Sequence, residues 1–313
     1  MRIHKFCCTF VRFFEMNTFG RKIRFTNFGE SHGIAVGGVL DGIPSKFAID
    51  FEAIQYDLDR RAGRVGDLIV SERAKQEKDE VEWLSGLMDN VTLGTPIAYI
   101  IRNADARSED YEALKDVYRE GHADRVYELK YGIRDYRGGG RASARETAAR
   151  VVAGSIAKQI LSREGISVEA QLIQVGKEKN PAKFKSLLSQ IQQEGDSIGG
   201  IVECRIKGLS VGVGEPIFDK LQARLAYAIM SINGCKGFEY GSGFASAGMK
   251  GNEGFISGGI VGGISDGGEV IFRCVFKPTA TIAQKYGGRH DVCIAVRAVP
   301  VVEAMTALVL VDN

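Results

Sequence analysis

Residues 143–161, SARETAARVVAGSIAKQIL, carry the strongest helix pattern in this sequence. Small and apolar side chains recur here with the 3.6-residue period of an α-helix. The residues that follow this period are Ala148, Val151, Val152, Ser155, Ile156, Gln159 and Ile160. Ser143 and Glu146 fit the S-x-x-E capping box that marks helix starts. We therefore predict a long helix that begins near Ser143 and buries one face.

Strand patterns and further helix patterns surround this segment. The predicted strands are 34–40, 95–102 and 270–276, and the further predicted helices are 51–61, 216–232 and 298–311. Strands and helices are mixed without the regular βαβ spacing of a doubly wound sheet. The pattern therefore favours an α+β fold with antiparallel pairing.

Composition narrows the class of protein. The chain has 313 residues, with 41 Lys and Arg against 39 Asp and Glu, so its net charge is +2. This balance argues against a generic polybasic nucleic-acid binder. No uninterrupted run of about 18 apolar residues occurs, so we predict no membrane span. The 39 glycines indicate many turns or a backbone that approaches a ligand closely.

The cysteines bear on the cellular compartment. They are Cys7, Cys8, Cys204, Cys235, Cys274 and Cys293, and none forms a C-x-x-C pair. This usage favours buried reduced thiols over disulfides or a metal site. We therefore expect a cytoplasmic protein without a bound metal.

Two histidines beside glycines are the first candidates for chemistry. They are His32, in the segment GESHG at 29–33, and His122, in GHAD at 121–124. Histidine changes its charge near neutral pH, and neighbouring glycines let a ligand reach the backbone. A solvent-exposed turn is the alternative for His32, and the pattern alone leaves both open.

A glycine-rich loop at 138–140 leads into the predicted helix at Ser143. Such a loop presents free N–H groups and the positive end of the helix dipole, which together bind phosphate. Four arginines crowd this helix start: Arg134, Arg137, Arg141 and Arg145. Because cations oppose the dipole there, we predict an anion or acidic partner rather than a solvated face. No G-K-[ST] follows the loop, so ATP hydrolysis is not indicated.

Two further charged clusters are weaker candidates. Asp291 stands between Arg289-His290 and an apolar run that contains Arg297, and such a carboxylate can transfer protons. A surface ion-pair cluster is the alternative for Asp291. Arg60, Arg61 and Arg64 lie at a helix end, where the dipole alone favours cations.

Several long motifs resemble, in the same order, those of the chorismate synthase family. They are GESHGIAVGGVLDGIP at 29–44, GHAD at 121–124, KYGIRDYRGGGRASARET at 130–147 and GRHDVCIAVRAVPVVEAM at 288–305. The resemblance extends over almost all of residues 16–313. It implies one domain there, short at its C-terminus, and marks residues 1–15 as an extension that is disordered or a misassigned start.

This resemblance implies a fold and a reaction. The expected fold is a helical layer sandwiched between two antiparallel sheets, assembled as a homotetramer. The expected enzyme is a lyase that converts 5-enolpyruvylshikimate 3-phosphate to chorismate and phosphate by a 1,4-anti elimination. The expected cofactor is reduced FMN, with FAD as the related flavin nucleotide. NADPH and an external reductant both stay open as its source of electrons. No nucleic-acid or membrane partner is expected.

The resemblance also assigns roles to residues of this chain. His32 corresponds to the residue that protonates the leaving phosphate, and His122 to the residue that stabilises the anionic reduced flavin. Asp291, together with Ser31, corresponds to the pair that takes up a proton from the flavin. The expected FMN contacts are Arg141, Ala142, Ser143, Asn233, Gly234, Gly262, Lys277, Pro278, Thr279, Ala280, Thr281 and Arg289. The expected contacts to substrate anions are Arg60, Arg61, Arg145 and Arg297.

Departures from the family pattern keep other hypotheses open. Glu120 stands where the family has proline, and 277–289 is shorter than in the family. A flavin- or phosphate-binding paralogue that has lost turnover is therefore one alternative. A nucleic-acid-binding protein that uses the arginines of 134–150 is another, which the net charge of +2 disfavours.

Overall fold

The structure is a computed structural model, and it describes residues 17–68, 78–103, 115–252, 257–280, 282–286 and 291–313. The expectations for the extension 1–15, for Thr281 and for Arg289 fall outside these ranges.

Short antiparallel strands build two separate sheets. In chain order the strands are β1 (Thr18–Phe19), β2 (Arg24–Phe28), β3 (Ala35–Asp41), β4 (Val81–Ser85), β5 (Leu87–Met88), β6 (Val91–Thr92), β7 (Ile97–Arg102), β8 (Ser167–Val175), β9 (Gly200–Lys207), β10 (Cys235–Tyr240), β11 (Ile260–Val261), β12 (Ile264–Ser265) and β13 (Val270–Phe276). The first sheet has the order β1-β2-β3-β7-β4 and the second has β10-β13-β9-β8. Two small hairpins, β5-β6 and β11-β12, stand apart from them.

The helices of the described residues follow the predicted pattern in outline. They are α1 (Phe51–Ala62), α2 (Asp124–Tyr131), α3 (Thr147–Arg163), α4 (Phe184–Gln193), α5 (Leu221–Met230), α6 (Ala283–Tyr286) and α7 (Ile294–Val311). The short turn Ala144–Glu146 precedes α3 and has 3₁₀ geometry.

Three predicted helix starts are wrong: α3 and α5 begin later than predicted, and α7 begins at Ile294, four residues before the predicted 298. Ser143 caps the 3₁₀ turn by accepting a hydrogen bond from the Arg145 N–H, and α3 begins only at Thr147. The carboxylate of Glu146 accepts hydrogen bonds from Asn27 and Arg150. The helix predicted at 216–232 begins at Leu221, because Asp219 has a φ of 58°, which a right-handed helix cannot contain.

The core consists of helices packed between the two sheets. Helix α3 packs against β2, β3 and β7 of the first sheet, whereas α7 packs against β8, β9 and β13 of the second. The two helices touch at Gly154, where a Cβ atom would lie 2.2 Å from the Cα of Ala304. This arrangement confirms the predicted α+β fold with a helical layer between two antiparallel sheets.

Helix α7 is the most apolar element of the core. With a mean hydropathy of 2.0 over 18 residues, it is long and apolar enough to cross a membrane. However, 72% of it is buried inside the protein, against α1, α3, α5 and the second sheet. Its apolar character is accounted for by its place at the centre of the core.

A buried cluster of charges joins the helices of this layer. The carboxylate of Glu303 on α7 lies 2.6 and 2.7 Å from two nitrogens of Arg60 on α1 and 2.8 Å from Lys158 on α3. Asp57 also accepts hydrogen bonds from Arg60 and Lys158. Burial opposes the ionisation of Glu303, but the hydrogen bond from Arg60 and the charge of Lys158 outweigh it and lower its pKa. Two cations and two carboxylates thus balance inside the core.

Replacing Glu303 by alanine should destabilise the fold by about 1–3 kcal/mol at neutral pH, because the partly buried Arg60 and Lys158 would keep only one carboxylate partner, Asp57. Urea denaturation gives the free energy of unfolding. The control is Glu269→Ala, which removes a partly exposed partner of Arg205 and should cost less than about 1 kcal/mol.

The pH dependence of this difference has a fixed sign. Because the pKa of Glu303 is lower in the folded state than its ordinary value of 4.5, its stabilisation is complete above pH 4.5. It is lost as the pH falls through the folded value. A difference between wild type and Glu303→Ala that grows on acidification would contradict the role of the ionised carboxylate.

Candidate active site

A polar cleft of about 1210 Å³ opens between the end of β2 and the loop that precedes α3. Its walls include Phe28, His122, Tyr127, Arg141 and Asn233. Ligand pockets in proteins commonly span about 300–1,000 Å³. The cleft is therefore large enough for a nucleotide together with part of a second ligand.

His122 lines this cleft from the turn that precedes α2. Its Nδ1 lies 2.9 Å from Oδ1 of Asp124, the first residue of that helix. Burial opposes the ionisation of Asp124, but hydrogen bonds from Arg119 and His122 lower its pKa well below the ordinary range. Nη2 of Arg119 lies 3.2 Å from the same Nδ1, so both neighbours of this nitrogen belong to the protein. Nε2 is therefore the nitrogen that can meet a ligand.

Ser31 and His32 lie behind the glycine-rich loop, in the connection between β2 and β3. They are 1% and 5% exposed, and the Oγ of Ser31 is 3.1 Å from Nδ1 of His32. Gly138 has a φ of +66° and packs on this imidazole, so that a Cβ atom would lie 2.2 Å from Nδ1. A side chain at position 138 would therefore displace His32.

Several of the residues predicted for FMN meet at the cleft. The Asn233 side chain donates to the carbonyl of Ser143 at 3.1 Å and also faces the carbonyl of Arg141. Ala142, between them, lines the cleft. The Arg141 guanidinium donates to Asn27 and to the Gly29 carbonyl at 2.8 Å. Segments 141–143 and 233 thus form one wall.

The segment 277–280 joins this wall to the His122 turn. The backbone N–H of Lys277 donates to the carbonyl of Gly234, and its Nζ donates to the carbonyl of Gly121 at 2.9 Å. A Cβ on Gly121 would lie 3.6 Å from Ala280. Burial, together with the charge of Lys236, lowers the pKa of Lys277.

Asp291 is tied to the same segment. The Thr279 hydroxyl, which follows Pro278, donates to the Asp291 carbonyl. The Asp291 carboxylate accepts from Nη1 of Arg297 at 2.7 Å. Gly262, in contrast, lies in the β11–β12 turn, with nothing within 4 Å of its Cβ position among the described residues. The structure does not bring Gly262 to the cleft wall.

The predicted substrate arginines divide into two groups. Arg61 and Arg145 share the buried carboxylate of Asp79, and Nε of Arg297 donates to the carbonyl of Arg61 at 3.1 Å. Burial opposes the ionisation of Asp79, but the charges of Arg61 and Arg145 outweigh it and lower its pKa. Arg60 instead points into the helical layer and pairs with Glu303. Only Arg61, Arg145 and Arg297 are close to one another.

The arginines at the start of α3 have acidic or carbonyl partners within the protein. Arg134 pairs with Glu128, Arg137 with Asp135 and Arg145 with Asp79. Acidic side chains of the same chain therefore compensate the charges of these three arginines. Their number alone does not demand a ligand.

Sequence reasoning missed two residues that organise the site. Asp124 stands two positions after His122, and this short spacing could have identified it. Arg119, which donates to Asp124 at 2.8 and 2.9 Å, had no local pattern. Its role depends on the fold.

Comparison with known proteins places the chain in a family. The family model for chorismate synthase matches residues 23–313. The chain is 48% identical to the chorismate synthase of Christiangramia forsetii, with 95% of this chain and 96% of that protein covered. It is 44% identical to that of Flavobacterium psychrophilum, with the same coverage. A crystal structure of a chorismate synthase superposes with a TM-score of 0.74 at 30% identity, covering 94% of this chain and 92% of that one.

The fold and the cleft, which is lined by His122 and by several arginines, define an enzyme suited to anionic ligands. The chain belongs to the chorismate synthase family. It is a lyase of the final step of the shikimate pathway, which converts 5-enolpyruvylshikimate 3-phosphate to chorismate and phosphate. The family implies dependence on reduced FMN.

Replacing Gly138 by alanine should lower chorismate formation by at least about 100-fold, the smaller effect expected when an acid–base group is misplaced. Gly132→Ala is a control for backbone strain, because Gly132 also has a positive φ, +76°, but no atom of the described residues lies within 4 Å of its Cβ position. The melting temperature of Gly138→Ala should fall further than that of Gly132→Ala, because only Gly138→Ala also displaces the His32 ring. Equal activity in the two variants would show that the contact with His32 has no catalytic importance.

Proposed function

We propose that the cleft beside His122 holds reduced FMN and that His32, His122 and Asp291 handle the protons of the elimination. The observation that carries this proposal is a set of hydrogen bonds that link Asn233 to Ser143, Lys277 to Gly234, and Lys277 to Gly121 in the turn before His122. They connect segments that are far apart in sequence, each of which contains or adjoins a residue expected at the flavin.

The residues present suit a flavin nucleotide. The cleft offers aromatic and apolar surface from Phe28, Tyr127, Tyr131 and Ile133, on which a flat ring can lie. Lys277 supplies a positive charge beside the turn that precedes His122, and the carboxamide of Asn233 fixes the loop 141–143. When bound, reduced flavin supplies electron density to the substrate as phosphate leaves.

The protein's own groups then have distinct tasks. In its doubly protonated form, His122 would donate from Nδ1 to Asp124 and would present its second proton, on Nε2, to the anionic flavin. His32 would hold a proton for the departing phosphate oxygen, in a position that bulk water hardly reaches. Asp291, oriented by Arg297, would accept the proton that the reaction releases, with Ser31 as its partner. Arg61, Arg145 and Arg297 would hold the anionic groups of the substrate.

Further proposals concern the electron source, the oligomeric state and the cellular compartment of the enzyme. We propose that NADPH is the electron source, that the chain assembles as a homotetramer and that it acts in the cytoplasm. Exposed aromatic side chains such as Phe218 and Phe244, 85% and 82% exposed, support contact with further copies. The four cysteines in the described part of the chain are free and buried, which supports a reducing compartment. The acidic partners of the arginines support the absence of a nucleic-acid partner.

Anaerobic incubation with photoreduced FMN and 5-enolpyruvylshikimate 3-phosphate should yield chorismate and phosphate in equal amounts. Oxidised FMN alone should support no turnover. Absorbance of chorismate and a phosphate assay on the same sample give both quantities. Tight binding of both ligands without phosphate release would instead favour a paralogue that has lost turnover.

Asp291→Asn should lower single-turnover chorismate formation by about 100- to 10,000-fold while FMN and substrate bind nearly as in the wild type. The amide keeps the shape and a hydrogen-bond acceptor for Arg297 but cannot accept the proton. Asp41→Asn, which alters an arginine-paired carboxylate at the edge of the first sheet, is the control and should retain full activity. Loss of FMN binding with a normal rate at saturation would show that Asp291 supports the fold rather than proton transfer.

A further inference from the structure

A buried ion pair lies between the two histidines. Arg119 donates from Nε and Nη2 to the two carboxylate oxygens of Asp124, at 2.8 and 2.9 Å. Its side chain is 3% exposed and that of Asp124 is 5% exposed. The pair is therefore screened from water, and its geometry is fixed at both ends.

One end of this pair reaches His122. The carboxylate oxygen that lies 2.9 Å from Nδ1 of His122 is the same Oδ1 that accepts from Nη2 of Arg119. Nη2 of Arg119 also lies 3.2 Å from this Nδ1. Because the carboxylate oxygen is the nearer neighbour, at 2.9 Å, we assign the proton of the neutral ring to Nδ1. A carboxylate that orients a histidine in this way also fixes its tautomer.

The other end reaches His32. Nη2 of Arg119 also donates to the carbonyl of Gly138 at 2.7 Å. Gly138 is the residue that packs on the imidazole of His32 and on Ser31. A shift of this carbonyl would therefore change the space in which the His32 ring lies.

We propose that the Arg119–Asp124 pair is the positioning unit for both histidines. Through the single guanidinium of Arg119, it determines which nitrogen of His122 carries the proton and where the ring of His32 lies. The proposal deepens the proposed function, since it rests on the roles given there to the two histidines. Neither Arg119 nor Asp124 needs to touch substrate or flavin for this role.

The first test is Asp124→Asn in the full chain, without flavin. Nitrogen-15 NMR of the histidine rings reports which nitrogen carries the proton, with peaks assigned from His122→Gln and His32→Gln. We expect His122 to change from the Nδ1-protonated form to a mixture, while His32 is unchanged. Glu269→Gln, which removes an arginine-paired carboxylate that does not line the cleft, should leave both rings as in the wild type.

The second test is Arg119→Lys, which keeps the charge but cannot reach Asp124 and Gly138 together. We expect the ring resonances of both histidines to move and chorismate formation to fall by at least about 100-fold. A response of His122 alone, or of neither ring, would overturn the coupling. If Asp124→Asn does not fold, the wild-type spectrum provides the test, and a neutral His122 ring protonated on Nε2 there would also overturn the proposal.

These measurements distinguish a failure of the proposed function from a failure of the positioning unit. An inactive wild type whose rings respond as expected would refute the proposed function and leave the positioning unit intact. An active wild type whose rings do not respond would refute the positioning unit alone.

Discussion

Arg61 and Arg145 share the carboxylate of Asp79 at a point where all three side chains are at most 4% exposed. A buried guanidinium without a carboxylate is strongly destabilising, so the three chain segments that carry these residues must stay together. Arg61 also donates to the Thr147 hydroxyl at the start of α3, and its carbonyl accepts from Arg297 at the start of α7. The N-terminal ends of both central helices are thus fixed beside one another.

This arrangement explains how a core of helices creates an active site. Two helix N-terminal ends and three arginines face one region, and both features favour anions. Asp291, which precedes α7, and the loop that precedes α3 are carried to the same end. The contact of Gly154 with Ala304 lets the two helices approach closely enough to keep these ends in register.

Much of this could be predicted from the sequence. The period of residues 148–160 predicts α3. Of the three predicted proton-handling residues, His122 lines the cleft, whereas His32 lies behind the glycine-rich loop and Asp291 lies beside Arg297. The starts of α3 and α5 were wrong because side-chain contacts or backbone angles at the predicted residues do not fit a helix start. Glu146 bonds Asn27, Arg150 and Asn233, and a positive φ at Asp219 delays α5. Arg60 was assigned to the substrate together with its neighbour Arg61. On a helix, adjacent side chains point in different directions, and Arg60 pairs with Glu303 instead. Neither Asp79 nor Arg119 could be identified from the sequence. The partners of Asp79 lie far from it in the chain, and the contacts of Arg119 depend on an irregular turn.

The most direct test of the account is the location of the flavin, determined in a crystal structure of the protein with FMN bound under reducing conditions. We expect the flavin ring in the cleft, within hydrogen-bonding distance of Nε2 of His122 and next to Asn233 and Lys277. A second, more apolar groove of about 710 Å³ lies along α5 and β10, lined by Phe238, Tyr240 and Phe244. Flavin bound in that groove, or in the cleft with His122 turned away from it, would contradict the account.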